Sequence, residues 1–268
     1  MPLTQVSIVL LVLKCALSEA AVVSEEASSL VALHDFCGWS LGWATNVDAC
    51  EGGPLGFGWD GVECDSSDHH IEKVELEDRE LPCNLTGLDD LELFDPTVMT
   101  RLISFSILGC GLFGSLPLAF GALPSLTLFN LDNNAIEADL SNYTFASPTL
   151  ATLRMNRNRF FGEVPSMVHN EHLVELDLSY NQLSGDIVSK LSSNSALVYV
   201  DLSGNDFTGQ LPVFGTESHL ATLKVSNNNF TGSIPNSIGA FGSSGNGLVL
   251  LHVNGNQLSG TLPQAISD

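Results

Sequence analysis

Basic residues are scarce in this chain, 9 Lys and Arg against 31 Asp and Glu, yet Arg154, Arg157 and Arg159 fall together. Tyr180 and Tyr199 follow, with Asn156, Asp177 and Asp201 in the same stretches. Planar charge beside aromatic area is an enriched pairing at protein interfaces. The competing structural role is a sideways ion pair, Arg154 with Asp177, worth a fraction of a kcal/mol. Catalytic chemistry finds no comparable set. His169 and His172 form an isolated H-x-x-H without the further ligands that zinc requires. Asp65 and Asp68 lack the spacing of a calcium loop. Ser179, Ser184, Ser203 and Ser226 recur at fixed intervals, and none has the context of a nucleophile elbow. No phosphate loop or kinase motif occurs. The expectation is therefore a binding surface, with no catalytic residue, no metal and no cofactor. A net charge of −22 argues against nucleic acid and anionic membrane, whose phosphates need clustered Lys and Arg. Its plainer meaning is solubility.

What positions these side chains is a repeat. Leu173, Leu176, Leu178, Asn181, Leu183 and Gly185 form a frame that returns as Leu197, Val200, Leu202, Asn205, Phe207 and Gly209. It appears again around Asn134, Asn158, Asn228 and Asn256, with Cys110 in the asparagine's place in an earlier copy. The markers at 110, 134, 158, 181, 205, 228 and 256 are 23 to 28 residues apart. This is the L-x-x-L-x-L-x-x-N-x-L frame of a leucine-rich repeat. One such unit cannot bury its own apolar face, so neighbours stack and share a continuous core. In L-x-L the leucines point inward from a short strand and the residue between them points out. The asparagine is expected to satisfy turn backbone, since an unpaired buried group costs about 1–3 kcal/mol.

The register then orders the outward columns. The central one runs Glu75, Ser106, Asn130, Arg154, Asp177, Asp201, Lys224, His252. A second runs Glu77, Leu108, Asp132, Asn156, Ser179, Ser203, Ser226, Asn254, and a third Asp78, Gly109, Asn133, Arg157, Tyr180, Gly204, Asn227, Gly255. The candidate partner-binding residues are Arg154, Asn156, Arg157, Asp177, Tyr180, Tyr199 and Asp201.

Gly114-Ser115-Leu116-Pro117, Gly162-Glu163-Val164-Pro165, Gly209-Gln210-Leu211-Pro212, Gly232-Ser233-Ile234-Pro235 and Gly260-Thr261-Leu262-Pro263 all read G-x-apolar-P. This resembles the plant-type leucine-rich repeat of extracellular receptor-like kinases, receptor-like proteins and polygalacturonase inhibitors. The resemblance runs from about residue 24 to the end. It implies an α/β fold: a curved right-handed superhelical solenoid with a parallel β-sheet on its concave face and a short 3-10 or irregular convex side. Trp43, Cys50 and the segment Trp59-Asp60-Gly61-Val62-Glu63-Cys64 are similar to the helical disulfide cap of that family. Carried over, Cys50 pairs with Cys64, Trp59 covers the open end of the core and Gly61 allows the turn. A glycine-rich stretch, Glu51–Gly58, lengthens that loop beyond the usual pattern.

The expected layout is a signal peptide over 1–20, the cap over 21–70 and a solenoid of about eight repeats over 71–268. Small Ser18 and Ala20 end an apolar run too short to span a bilayer, although no basic residue precedes it. Ser24 is placed to cap a helix beginning at Glu25 and Glu26, which Gly38 stops. Cys110 occupies an inward turn position and is the expected free thiol; elimination leaves Cys37 with Cys83, and the pairing of these three stays open. The acidic segment Pro82–Thr100 is expected to bulge from the solenoid. The array reaches Asp268 without a terminal cap, as in a truncated, partner-capped or frayed array. Asn84, Asn142 and Asn229 head N-x-T acceptors for glycosylation.

The functional expectation is a secreted or cell-surface protein that recognises a protein, peptide or wall polysaccharide through its concave sheet, receptor-like or inhibitor-like. Two alternatives stand beside it: a structural, wall-associated adhesion protein using regular polar columns on ice or glycan, and an ectodomain fragment of a receptor-like kinase. No nucleic acid and no membrane span enter any of these readings, and the oligomeric state is not legible.

Overall fold

The computed structural model describes residues 25–39, 41, 50, 59–65, 70–88, 95–191, 194–214, 218–239 and 248–263. The signal-peptide reading, Ser24, Trp43 and Glu51–Gly58 lie outside them. A nine-stranded sheet runs the length of the chain. Its first strand, Val62–Cys64, is antiparallel to Ile71–Glu77. Parallel strands then follow at Ser104–Leu108, Leu128–Asn130, Thr152–Arg154, Glu175–Asp177, Tyr199–Asp201, Thr222–Lys224 and Leu250–His252. Inward residues Leu153, Leu176, Val200 and Leu223 are fully buried, as the alternation requires. Phe207 and Phe230, two residues past their markers, stack with ring centroids 6.2 Å apart.

The asparagines do what their position demands. Asn205 donates through Nδ2 to the carbonyls of Leu178, Leu202 and Ser203, at 2.9, 3.1 and 3.5 Å, and accepts the Leu183 N–H at 3.0 Å. The pattern recurs at Asn134, Asn158, Asn181, Asn228 and Asn256. At Cys110 the work is divided. Its thiol donates to the carbonyls of Leu76 and Leu108, and its own carbonyl accepts the Leu81 N–H. Cys110 is the free, buried cysteine among the described residues, and burial pushes its thiol up from the ordinary value.

A second buried ladder escaped the sequence reading. Ser147, Asn170, Asn194 and Ser218 recur at the same interval and are buried. Asn170 donates to the carbonyls of Phe145 and Ser147, and Asn194 to those of Met167 and Asn170. The side opposite the long sheet is also less irregular than expected. Short parallel strands such as Phe161–Glu163, Gln182–Asp186 and Asp206–Thr208 pair beyond the markers. Pro82–Leu88, expected to bulge, belongs to this layer: Cys83–Asn84 pairs with Leu112–Gly114, and Leu85 and Leu88 are buried. The acidic residues 89–94 lie outside the described residues.

Helix α1 (Glu25–Cys37) closes the first end of the core. Disulfides join Cys37 to Cys83 and Cys50 to Cys64, so the pairing left open is resolved. Trp39 donates its indole N–H to the Leu81 carbonyl, and Trp59 is buried in the core. Glu26, in the first turn of this helix, faces inward. It is buried, and its carboxylate accepts the Ile71 N–H at 2.8 Å and meets His70 at 3.1 Å. Gly61 has φ +81°, and a Cβ there would stand 2.6 Å from the Glu75 carbonyl oxygen, so the turn needs glycine.

Candidate partner-binding face

The strand register reproduces the central column in full, from Glu75 opposite Ser106 through Arg154 opposite Asp177 to Lys224 opposite His252. Its Arg and Lys, Arg154 and Lys224, are each held by carboxylates. Arg154 does not pair with Asp177; its Nε donates to Asp132 at 2.9 Å and its Nη1 to Glu175 at 3.0 Å. Burial works against the Arg154 charge, but the hydrogen bond and charge of Asp132, with the charges of Glu175 and Asp177, outweigh it and raise its pKa. Asn156 is buried, with its N–H donating to Asp132 Oδ1.

Asp177 is buried as well, and its Oδ1 accepts both the N–H and the hydroxyl of Ser179. Asp201 accepts the Ser203 N–H and, through Oδ2, the Tyr199 hydroxyl, while Lys224 reaches Tyr199 at 2.9 Å and Asp201 at 3.3 Å. Lys224 also lies 4.9 Å from the Tyr199 ring centroid. Tyr199 thus belongs with Lys224 of the next repeat, and lies two repeats beyond the arginines. Sequence reasoning placed Lys224 in the column but missed this partnership, as it missed Asp132 and Glu175 as the partners of Arg154.

Burial raises the Asp177 pKa first, with repulsion from Asp201 and Asp132 adding to it against the opposing Ser179 hydrogen bonds. A carboxyl with a raised folded-state pKa binds more protons folded than unfolded, so stability falls as pH rises from the ordinary carboxylate value through the raised one. Asp177→Asn keeps the acceptor for Ser179 and removes the charge. It should therefore raise the urea midpoint modestly at neutral pH, with the gain disappearing below the unfolded carboxylate pKa of about 3.9. A variant less stable than wild type at both pH values would contradict this account.

The third column has a property that hydropathy cannot reveal. All eight of its residues, Asp78, Gly109, Asn133, Arg157, Tyr180, Gly204, Asn227 and Gly255, have positive φ. Left-handed backbone costs an ordinary side chain about 1–2 kcal/mol, and glycine, asparagine and aspartate enter it more cheaply. Arg157 (φ +52°) and Tyr180 (φ +56°) are the two that depart from those types. They are adjacent and exposed. The guanidinium lies 4.9 Å from the Tyr180 ring centroid, within cation–π range. Tyr180, 50% exposed, in turn lies over Gly204, where a Cβ would stand 2.9 Å from its Cδ1.

The seven candidate residues thus separate into an exposed pair, Arg157 and Tyr180, and a hydrogen-bonded group, Arg154, Asp177, Tyr199 and Asp201, with Asn156 buried beneath. His169 and His172 are exposed on a turn. Among the described residues no group of three or more His, Cys, Asp or Glu could hold a metal ion, and no helix is long and apolar enough to cross a membrane.

Two family profiles described as Leucine Rich Repeat match residues 169–192 and 219–241. These spans hold the Asn181 and Asn228 markers of the stacked, asparagine-bonded strands. The chain carries leucine-rich repeats. Solved structures place its repeats with those of plant receptor ectodomains. A crystal structure of a TDR receptor matches at TM-score 0.58 and 32% identity, over 63% of this chain and 29% of that one. The Arabidopsis receptor kinase HAESA, in complex with the peptide hormone IDA and a co-receptor, matches at 0.57 and 27%, over 63% and 28%. A leucine-rich repeat chain of this length thus spans under a third of those receptors. A plant ice-binding protein shares the fold at TM-score 0.56 and 21% identity, over 89% and 88% of the two chains. Comparison with curated proteins by sequence returned no match.

Proposed function

We propose that this leucine-rich repeat protein works outside the cell or at its surface, binding an extended peptide or protein segment across the long sheet without chemical turnover. The carrying observation is the Arg157–Tyr180 pair. It occupies left-handed positions where smaller residues would be more stable, and such outliers persist at binding sites. Aromatic area, planar charge and exposure coincide there as they do at interface hot spots. The neighbouring HAESA structure, with its peptide hormone, supports a peptide as the class of partner. Two disulfides favour an oxidising compartment, as does reading Met1–Ala20 as a secretory signal. An acidic wall polymer is the poorer fit, because Arg154 is already neutralised and Asp132, Asp177 and Asp201 line the same sheet.

The backbone supplies a clean test. Asn adopts the left-handed region readily, so an Arg157→Asn/Tyr180→Asn pair removes the anchors without burdening the fold. Unfolding should be unchanged or shifted to higher temperature. Immobilised wild-type chain should retain partners from the native extracellular fraction that the variant binds about a hundredfold more weakly, the effect of removing two hot-spot side chains together. Equal retention by both proteins would end this assignment.

A further inference from the structure

The flank loses its glycine at one of the copies with a marker from 110 to 256. Where Gly114, Gly162, Gly185, Gly209, Gly232 and Gly260 stand, all but Gly185 in G-x-apolar-P, this copy reads Ala138-Asp139-Leu140-Ser141. Its flank strand ends after Ala135–Ile136, and beyond it an isolated bridge, Asp139 to Phe161, stands in place of a strand pairing with the next copy. A cleft of about 720 Å³ lies here. Phe161 and Leu118, 40% and 50% exposed, give it apolar surface, and the acids Glu137 and Asp139 line it, Asp139 Oδ1 already accepting the N–H and hydroxyl of Ser141.

A ligand for such a cleft has an apolar face for Phe161 and Leu118 and neutral hydroxyl donors for the carboxylates. The two acids disfavour an anion. A neutral pyranose has both properties. Its source is indicated by the chain itself: Asn142, the exposed head of Asn142-Tyr143-Thr144, lines the same cleft. Thr86, from the acceptor triplet Asn84-Leu85-Thr86, lines it too.

We propose that the cleft is the seat of an N-linked glycan carried on Asn142, whose first sugars pack on Phe161 and Leu118 and donate hydroxyls to Glu137 and Asp139. Tethering makes even a weak single-sugar contact effective, because the local concentration is in the millimolar range. A free saccharide, lacking the tether, would have to bind by those contacts alone.

The test uses the full chain secreted from a host that N-glycosylates, with occupancy read from glycopeptide masses. Endoglycosidase release from the native protein is then timed at Asn142 and at Asn229, an exposed acceptor whose side chain meets Gln257 at 3.4 Å. Asn142 should be occupied and should release its glycan roughly tenfold more slowly than Asn229, the protection given by a seat worth about 1.4 kcal/mol. Phe161→Ser and, separately, Glu137→Gln should each narrow that difference without changing the rate at Asn229. An unmodified Asn142, equal release rates, or protection at Asn84 instead would overturn the proposal. So would protection at Asn142 that persists in both variants while their Asn229 rates match wild type. Release at Asn229 that quickens in one variant reports general loosening, and the other variant then decides.

Discussion

Replacing Cys37 and Cys83 together by alanine should lower the unfolding free energy by about 4 kcal/mol, the largest loss expected from any removal of side-chain links in this chain. The bridge spans 46 residues, against 14 for Cys50–Cys64, and the chain-entropy cost in the unfolded state grows with the loop closed. It also holds helix α1 over the first end of the core, where Ala27, Leu30 and Leu33 are buried. Without it, docking rests on the Trp39 indole bond to Leu81 and on the Glu26 carboxylate accepting the Ile71 N–H. Those contacts are strong locally but impose no restraint on the unfolded chain. Removing Cys50–Cys64 should cost less, about 3 kcal/mol. Urea titration of the two double variants decides the order. Equal or reversed midpoints would show that the helix does not secure the array. Repeat arrays unfold from their ends when a cap loosens, so a broadened transition in the Cys37/Cys83 variant is also expected.

The contrast between what was legible and what was not follows from the kind of signal each residue carries. Inward positions such as Leu176 and Val200 are set by apolar spacing, and the same spacing orders every outward residue between them. The eight-residue central column could therefore be read without coordinates. Partnerships across that column could not, because a long side chain reaches several neighbours. Arg154 chose Asp132 and Glu175 over the directly opposite Asp177, which is already engaged by Ser179. The buried role of Glu26 was not legible, because hydropathy gives no sign that a carboxylate will satisfy the first N–H of a strand 45 residues away. The left-handed column lay between these cases. Gly109, Asn133, Gly204, Asn227 and Gly255 are the types that such backbone selects, a pattern present in the sequence from which Arg157 and Tyr180 depart, although they were singled out for charge and aromatic area alone. The second ladder was discoverable in the same way: Asn170 and Asn194 keep the repeat interval.

Asn205→Ala should destabilise the chain by about 3 kcal/mol, because one side chain serves four backbone groups in two repeats. The carbonyls of Leu178, Leu202 and Ser203 lose a donor, and the Leu183 N–H loses its acceptor. Asn205 is only 7% exposed, so water cannot replace these bonds without opening the turn. Leucine at this position should be no better, since its apolar volume leaves the Leu183 N–H unpaired, while the Leu178, Leu202 and Ser203 carbonyls keep only Asn181, Asn228 and the Tyr180 N–H as donors. Ser179→Ala is the informative comparison. Ser179 is also buried, but its hydroxyl makes one bond to Asp177 Oδ1, and the Ser179 N–H continues to serve that oxygen after the change. Its loss should be about 1 kcal/mol. Denaturant unfolding of the two variants measures the difference. A large gap identifies the asparagine amide as the element that joins successive repeats. Equal losses would mean that the strands, through Leu178 and Leu202 packing, hold the turns without it.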